Sequence, residues 1–194
     1  EFVGGSAAAR QLLSAAFASP RAFDLEAHDR SSSVVFARLA APTNFVSHRT
    51  GEKIEVFPLQ VDFNDFYQLR GDSGALKAFD LGLIILHELA HGVWRLHDAR
   101  TEDEEPGECE SYINRIRREL NLPERLQYQA RLRPGTLNVT TGTKMIAELA
   151  FGRQLERDGK PYAERLRVQW EALTVGATMN APLGKSTEIS ASMR

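Results

Sequence analysis

The sequence predicts an α+β fold in which a small mixed or antiparallel sheet packs on a central buried helix. Three observations carry that prediction. The segment Leu76–Leu96 has apolar residues on too many sides for a single stripe, which reads as a helix enclosed by the rest of the chain. Two runs ahead of it, Ser33–Leu39 and Lys53–Phe63, are β-branched and aromatic and read as strands. Behind it, Asp158-Gly159 separates FGRQLE from YAERLRVQW, a hairpin signal whose alternative is a helix pair. Residues 1–194 are expected to form one domain. Its core is expected in about 30–135, with a C-terminal hairpin and a loose tail in 136–194.

Taken in order, Ser6–Ala18 is rich in strong helix formers and stops before Pro20. Ser33–Leu39 is the first strand, and residues 42–51 form a connection. In the next strand Ile54, Val56 and Pro58 share one face and Glu55, Phe57 and Leu59 the other. Pro58 cannot donate to a ladder, so this strand is expected at a sheet edge or with a bulge. As an edge, Ile54–Gln60 could accept an extended peptide by β-addition, or simply be an ordinary edge. Gly71–Ala75 is a turn with Asp72 or Ser73 as helix cap. Pro106 suits the first turn of a helix running to about Asn121, with Cys109, Ile113, Ile116 and Leu120 on its core face.

Composition narrows the functional classes. The 194 residues are 42% hydrophobic and 26% charged, which excludes disorder, collagen-like repeats and coiled coil. With 24 Lys+Arg against 26 Asp+Glu, the net charge of -2 offers no general attraction to nucleic acid, and none is expected as a partner. No run of about eighteen apolar residues is present, so no membrane insertion is expected. A soluble protein of the bacterial cytoplasm, or one secreted or translocated, fits equally. The single cysteine, Cys109, rules out an intrachain disulfide and any site that needs two thiolates.

Three of the five histidines, His87, His91 and His97, fall within eleven residues. His87-Glu88-Leu89-Ala90-His91 is an HExxH motif. On a helix, residues four apart project from one face, so both imidazoles can reach one metal ion. Glu88 lies about 100° round from His87, placed for general-base work rather than ligation. With 5 His and 17 Glu in the chain, roughly 0.01 such matches are expected by chance. A lone histidine would more simply be a satisfied core residue, but two unpaired imidazoles inside so apolar a helix would be costly. One zinc ion per chain is the expected cofactor. Without a second thiolate it must be held by imidazoles and a carboxylate, which favours a catalytic over a structural site.

A catalytic zinc takes three protein ligands. HELAHGVWRLHD resembles the metzincin pattern HExxHxxGxxH, which makes His97 one candidate. On an unbroken helix, however, His97 lies about 9 Å beyond and 120° round from His91. Trp94 stands where the metzincin turn needs glycine, and Gly92 comes two residues early. Otherwise His97 closes a helix C-terminus. The other source is a carboxylate from the next helix, among Glu102, Glu104, Glu105, Glu108 and Glu110. Glu108 is the preferred ligand, with Glu105 and His97 as alternates.

HELAH followed by ECESYINRIRRELNLPERLQY is similar to the HExxH zinc peptidase domains of bacterial secreted effectors and polymorphic toxins. In those domains a motif like N-x-I-R-x-E-L-G-L-P-x-R follows the metal helix. The matching positions are Asn114, Ile116, Arg117, Glu119, Leu120, Leu122, Pro123 and Arg125, with Asn121 where the family tends to have glycine. The likeness covers roughly residues 80–130. It implies a zincin-like fold and a zinc metalloendopeptidase acting on a protein or peptide, with Glu88 as general base. Tyr112 and Tyr128 are candidates for stabilising the transition state, and Arg125 a further one, against ordinary packing roles. Asp80, on the face of His87 and His91 two turns earlier, could orient an imidazole. The alternatives are a degenerate zincin acting as a binding module and a zinc hydrolase of a non-peptide amide. Asn138-Val139-Thr140 matches a glycosylation sequon too common to carry weight, and Met179, over eighty residues past His97, is too distant to read as a metzincin Met-turn.

Overall fold

The computed structural model describes residues 5–31, 33–101, 106–138, 142–157 and 159–172. Among these, two small sheets and a set of helices make a mixed α+β architecture. The first sheet contains β1 (Arg21–Ala27), β2 (Ala37–Leu39), β3 (Thr43–Val46) and β4 (Lys53–Val61). Strand β4 is its centre. It runs parallel to β1 on one side and antiparallel to β2 and β3 on the other. The edge position expected for β4 is therefore incorrect, and with it the idea that Ile54–Gln60 is open to a peptide. Proline is accommodated by the second device, a bulge. Residues 40–42, between Leu39↔Leu59 and Thr43↔Val56, oppose only Phe57 and Pro58. The ladder breaks where Pro58 lacks a donor, while its carbonyl still accepts from Ala40 N–H at 2.8 Å.

The second sheet has the order β5 (Arg70–Gly71), β9 (Lys160–Glu171), β8 (Gly142–Arg157) and β6 (Glu124–Arg125), with β7 (Arg131–Asn138) also on β8. The hairpin expected at Asp158-Gly159 is present, with Arg157 opposite Lys160 and Gly159 at φ +73°. Val168 and Trp170 of β9 are buried, together with Leu149 and Phe151 of β8. The core therefore extends well past residue 135. The expected tail at 181–194 and Met179 lie outside the described residues.

Five helices are described: α1 (Ala7–Ala18), α2 (Phe63–Tyr67), α3 (Ser73–Ala78), α4 (Leu81–Trp94) and α5 (Glu108–Glu119). Ser6 caps α1 as its composition suggests, accepting from Ala9 N–H at 2.9 Å. The single helix expected over Leu76–Leu96 is broken at Phe79–Asp80, because Asp80 caps a new helix by accepting from Leu83 N–H at 2.8 Å. That cap also answers the idea that Asp80 orients an imidazole: its carboxylate serves the start of α4, two turns from His87.

Helix α4 touches every apolar cluster. Ile84 joins Phe36, Phe79, Leu149, Phe151, Val168 and Trp170 beneath the second sheet. Leu89 and Ala90 join Leu12, Leu59, Val61 and Cys109, and Leu83 joins Ala8, Ile113 and Ile116. Enclosure on three sides is what its unstriped composition requires. Asn121, just past α5, has φ +56°, a left-handed conformation that asparagine tolerates and glycine prefers. Among the described residues, no helix is long and apolar enough to cross a membrane.

Candidate metal centre

His87 and His91 project from one face of α4 with their Nε2 atoms 3.1 Å apart. The helix ends at Arg95, which takes a left-handed conformation (φ +56°) and donates its N–H to His91 carbonyl. The chain folds back at once, and Leu96 carbonyl accepts from His91 Nδ1 at 2.6 Å. That bond places the proton on Nδ1 and leaves Nε2 as the coordinating atom. The turn delivers Asp98, whose Oδ1 lies 3.0 Å from His87 Nε2 and Oδ2 3.3 Å from His91 Nε2. Asp98 is held by a bridge to Gly107. Glycine is required there: at φ +82°, a Cβ would lie 2.4 Å from Ala99 N.

The carboxylate facing both Nε2 atoms is thus Asp98, the last residue of HELAHGVWRLHD, which nothing in the sequence singles out. His97 is exposed and outside the donor group, its carbonyl accepting from Cys109 N–H. Glu108 is exposed too. Its Oε2 accepts from His97 N–H at 3.2 Å, so it locks the loop to the start of α5 rather than meeting the imidazoles. Glu105 lies outside the described residues, as do Glu102 and Glu104. The missed signal was the turn itself, since nothing in Arg95 announces a left-handed residue.

Do these donors fit a zinc ion? Tetrahedral zinc with bonds of 2.0–2.1 Å separates its ligand atoms by about 3.3 Å. Here the two Nε2 atoms are 3.1 Å apart, and Asp98 meets His87 through Oδ1 at 3.0 Å and His91 through Oδ2 at 3.3 Å, so the carboxylate spans the pair at comparable spacing. Two imidazoles and a carboxylate are also a usual catalytic zinc set. The same atoms also exchange hydrogen bonds among themselves. Burial opposes a charged imidazole, but Asp98 and Cys109 outweigh it at His91 and hold it up at about 10. His87 is likewise held well above its ordinary range, against burial, by Asp98, Cys109 and Glu110. Asp98 goes the other way: its burial is overcome by His87 and His91, which keep it ionised far below the usual carboxylate range.

Behind His87 lies Glu110, fully buried, with Oε2 3.5 Å from Nδ1. Its charge is met by Arg117 through Oε1 and by Arg125 at 3.0 Å. Asn114 joins them, accepting from Arg117 and from Arg125 N–H, each at 2.8 Å. Arg117 also donates to Ala78 carbonyl at 2.8 Å, tying in the end of α3. The asparagine and two arginines of the N-x-I-R…R stretch therefore converge on one carboxylate and one metal-face histidine. Despite its burial, Glu110 stays ionised, its carboxyl drawn below the ordinary range chiefly by Arg125 and Arg117.

Tyr128 reaches the site and Tyr112 does not. The Tyr128 ring stacks on His87 (centroids 5.9 Å, 11°), and its hydroxyl donates to Asp98 Oδ2 at 2.7 Å. Burial and the negative charge of Asp98 hold this phenol protonated. Tyr112 donates instead to Ala8 carbonyl at 2.7 Å and packs edge-on to Trp94, so it joins α5 to α1. Arg125 is committed to Glu110 and the carbonyls of Gln127 and Tyr128.

Glu88, one residue further round α4 than His87, accepts from Leu39 N–H through Oε2 at 2.7 Å. Burial pushes its carboxyl up, partly offset by the two histidines. His87, Glu88 and Tyr128 open on a cavity of about 340 Å³ walled mainly by Phe36, Phe79, Leu149 and Trp170. A buried carboxylate of raised basicity beside a metal-competent histidine pair can move a proton in a largely apolar pocket. Comparison of the chain with protein-family models, curated proteins and solved structures finds no match.

Proposed function

We propose that the chain is a zinc-dependent metalloprotease of zincin-like fold, with His87, His91 and Asp98 holding one zinc ion and Glu88 as general base. The observation that carries this reading is the approach of His87 Nε2, His91 Nε2 and the Asp98 carboxylate to within 3.0–3.3 Å of one another, with His87 and a buried Glu88 lining one cavity. Zinc at that position supplies a Lewis acid for the scissile carbonyl and a nucleophile at neutral pH.

The chain's own groups divide the remaining work. Glu88, fixed by Leu39 N–H and made more basic by burial, takes the proton of the attacking water and passes it to the leaving amine. Tyr128 keeps its proton and serves as hydrogen-bond donor to the oxyanion, turning from Asp98 as charge develops. His91 is oriented by Leu96 carbonyl and His87 by Glu110, so neither needs to reorganise. A protein or peptide substrate and an effector or toxin setting rest on the sequence resemblance alone.

Glu88→Gln tests the proposal, since it keeps the shape and removes the base. Zinc content should match wild type, while the new peptide termini that wild type generates in a proteome digest should disappear. Termini that persist in the variant would refute Glu88 as base. A zinc-loaded wild type generating no termini would refute the protease and favour a binding module or a hydrolase of another amide.

A further inference from the structure

We propose that Cys109 is a fourth ligand of the zinc, so that the resting centre is a closed set of His87, His91, Asp98 and Cys109. This rests on the reading of the site as a zinc centre. It adds a regulated position, because hydrolysis needs one vertex free of protein ligands.

Proximity is the first support. One donor atom from each of the four residues lies within 4.8 Å of all the others. Tetrahedral zinc, with bonds of about 2.3 Å to sulfur and about 2.05 Å to nitrogen, sets sulfur about 3.6 Å from its neighbours. The thiol has roughly an ångström to close, within reach of a small side-chain rotation.

Delivery is the second. The loop that brings Asp98 to the imidazoles also seats Cys109. Asp98 bridges Gly107, and Cys109 N–H donates to His97 carbonyl at 3.0 Å, so the two donors arrive as one zipped unit. Glu108 closes that zip from its own side chain. Third is the thiol's environment. Cys109 is fully buried, and its Sγ donates to His87 carbonyl at 3.3 Å, a weak bond to an acceptor the α4 ladder already uses, while it also faces both imidazoles.

These facts define two seats for one sulfur. On the metal, Cys109 is a thiolate that has released its proton to solvent, and all four vertices are filled. Withdrawn to His87 carbonyl, it has regained a proton from solvent and one vertex is open. A soft sulfur in the set also favours zinc or cobalt over magnesium, calcium or manganese.

The full chain loaded with zinc, and separately with cobalt, decides the matter. X-ray absorption of the zinc form should show one sulfur at about 2.3 Å beside nitrogen and oxygen at about 2.0–2.1 Å. The cobalt form should show a sulfur-to-metal charge-transfer band that Cys109→Ser loses while the ligand-field bands persist. Metal bound with no sulfur shell and no such band overturns the role of Cys109 and leaves the three-donor centre intact. A folded chain that binds neither metal overturns both. Should Cys109→Ser fail to fold, the sulfur shell in wild-type zinc protein decides alone.

Discussion

Two glutamates, two residues apart on α5, should respond oppositely to loss of charge. Glu110 is fully buried between Arg117 and Arg125, with His87 against its second oxygen. Glu110→Gln keeps the volume and strands two guanidinium groups where water cannot reach them. Removing one partner from a buried ion pair costs about 3–5 kcal/mol, because the remaining charge is uncompensated. For a chain of this size that is a fall of roughly 6–20 °C in Tm. The same change releases His87 Nδ1 and should weaken zinc binding by about 10–100-fold. Glu108→Gln, by contrast, alters an exposed carboxylate bonded to one backbone amide and should stay within about 0.5 kcal/mol. Urea unfolding of the metal-free proteins, followed by circular dichroism, measures the first effect, and competition with a zinc chelator the second. The sign with pH is also defined. The carboxyl of Glu110 is held below its ordinary value of 4.5, so its contribution is complete above that value and fades as pH falls further. The wild-type advantage over Glu110→Gln should therefore shrink in acid. A stability loss below about 1 kcal/mol would refute the dry, charge-balanced network and the support it lends His87.

Asp98→Ala should lose its zinc on dialysis against chelator at pH 8, while His97→Ala and Glu108→Ala keep it; retention in Asp98→Ala with loss in Glu108→Ala would return the third ligand to α5. Because His91 is held at about 10 and His87 is raised too, zinc must displace at least one proton, and its affinity should rise at least about tenfold per pH unit between roughly 6.5 and 8.5. Calorimetry in two buffers of different ionisation enthalpy should then report proton release, and its absence would contradict that hydrogen-bonded geometry. Asp65, raised to about 6 by burial, should weaken the fold as pH climbs through that value. Asp65→Asn keeps the acceptor for Phe36 N–H, so its stability relative to wild type should grow by about 2 kcal/mol from pH 4 to 7 in urea titrations. An unchanging difference would count against that account.

Local chemistry made part of this protein legible. Helical spacing of four joins His87 to His91 whatever surrounds them, and a helix apolar on all sides must be enclosed. Asp158-Gly159 between alternating runs needs only two residues to close a hairpin. The composition of Ser6–Ala18 likewise announces its helix. These signals depend on neighbours a few positions away, so they survive without knowledge of the rest.

The choice of third donor depended on something else. Both Glu108 and Asp98 are acidic and near the motif, and Glu108, inside the next helix, is the better-held choice from sequence. A left-handed Arg95 reverses the chain, and a glycine-tight bridge at Gly107 pins the returning strand. Together they present Asp98 to the imidazoles and turn Glu108 to the loop. Strand β4 misled in the same way: Pro58 speaks for an edge until the two short strands beside it part at the missing donor. The burial of Glu110 between Arg117 and Arg125 likewise follows from three elements meeting. A sequence states which groups can ligate, cap or pair, because those capacities belong to single residues and short spacings. Which of several equivalent carboxylates does so depends on where distant backbone turns bring it, and only the folded chain decides that.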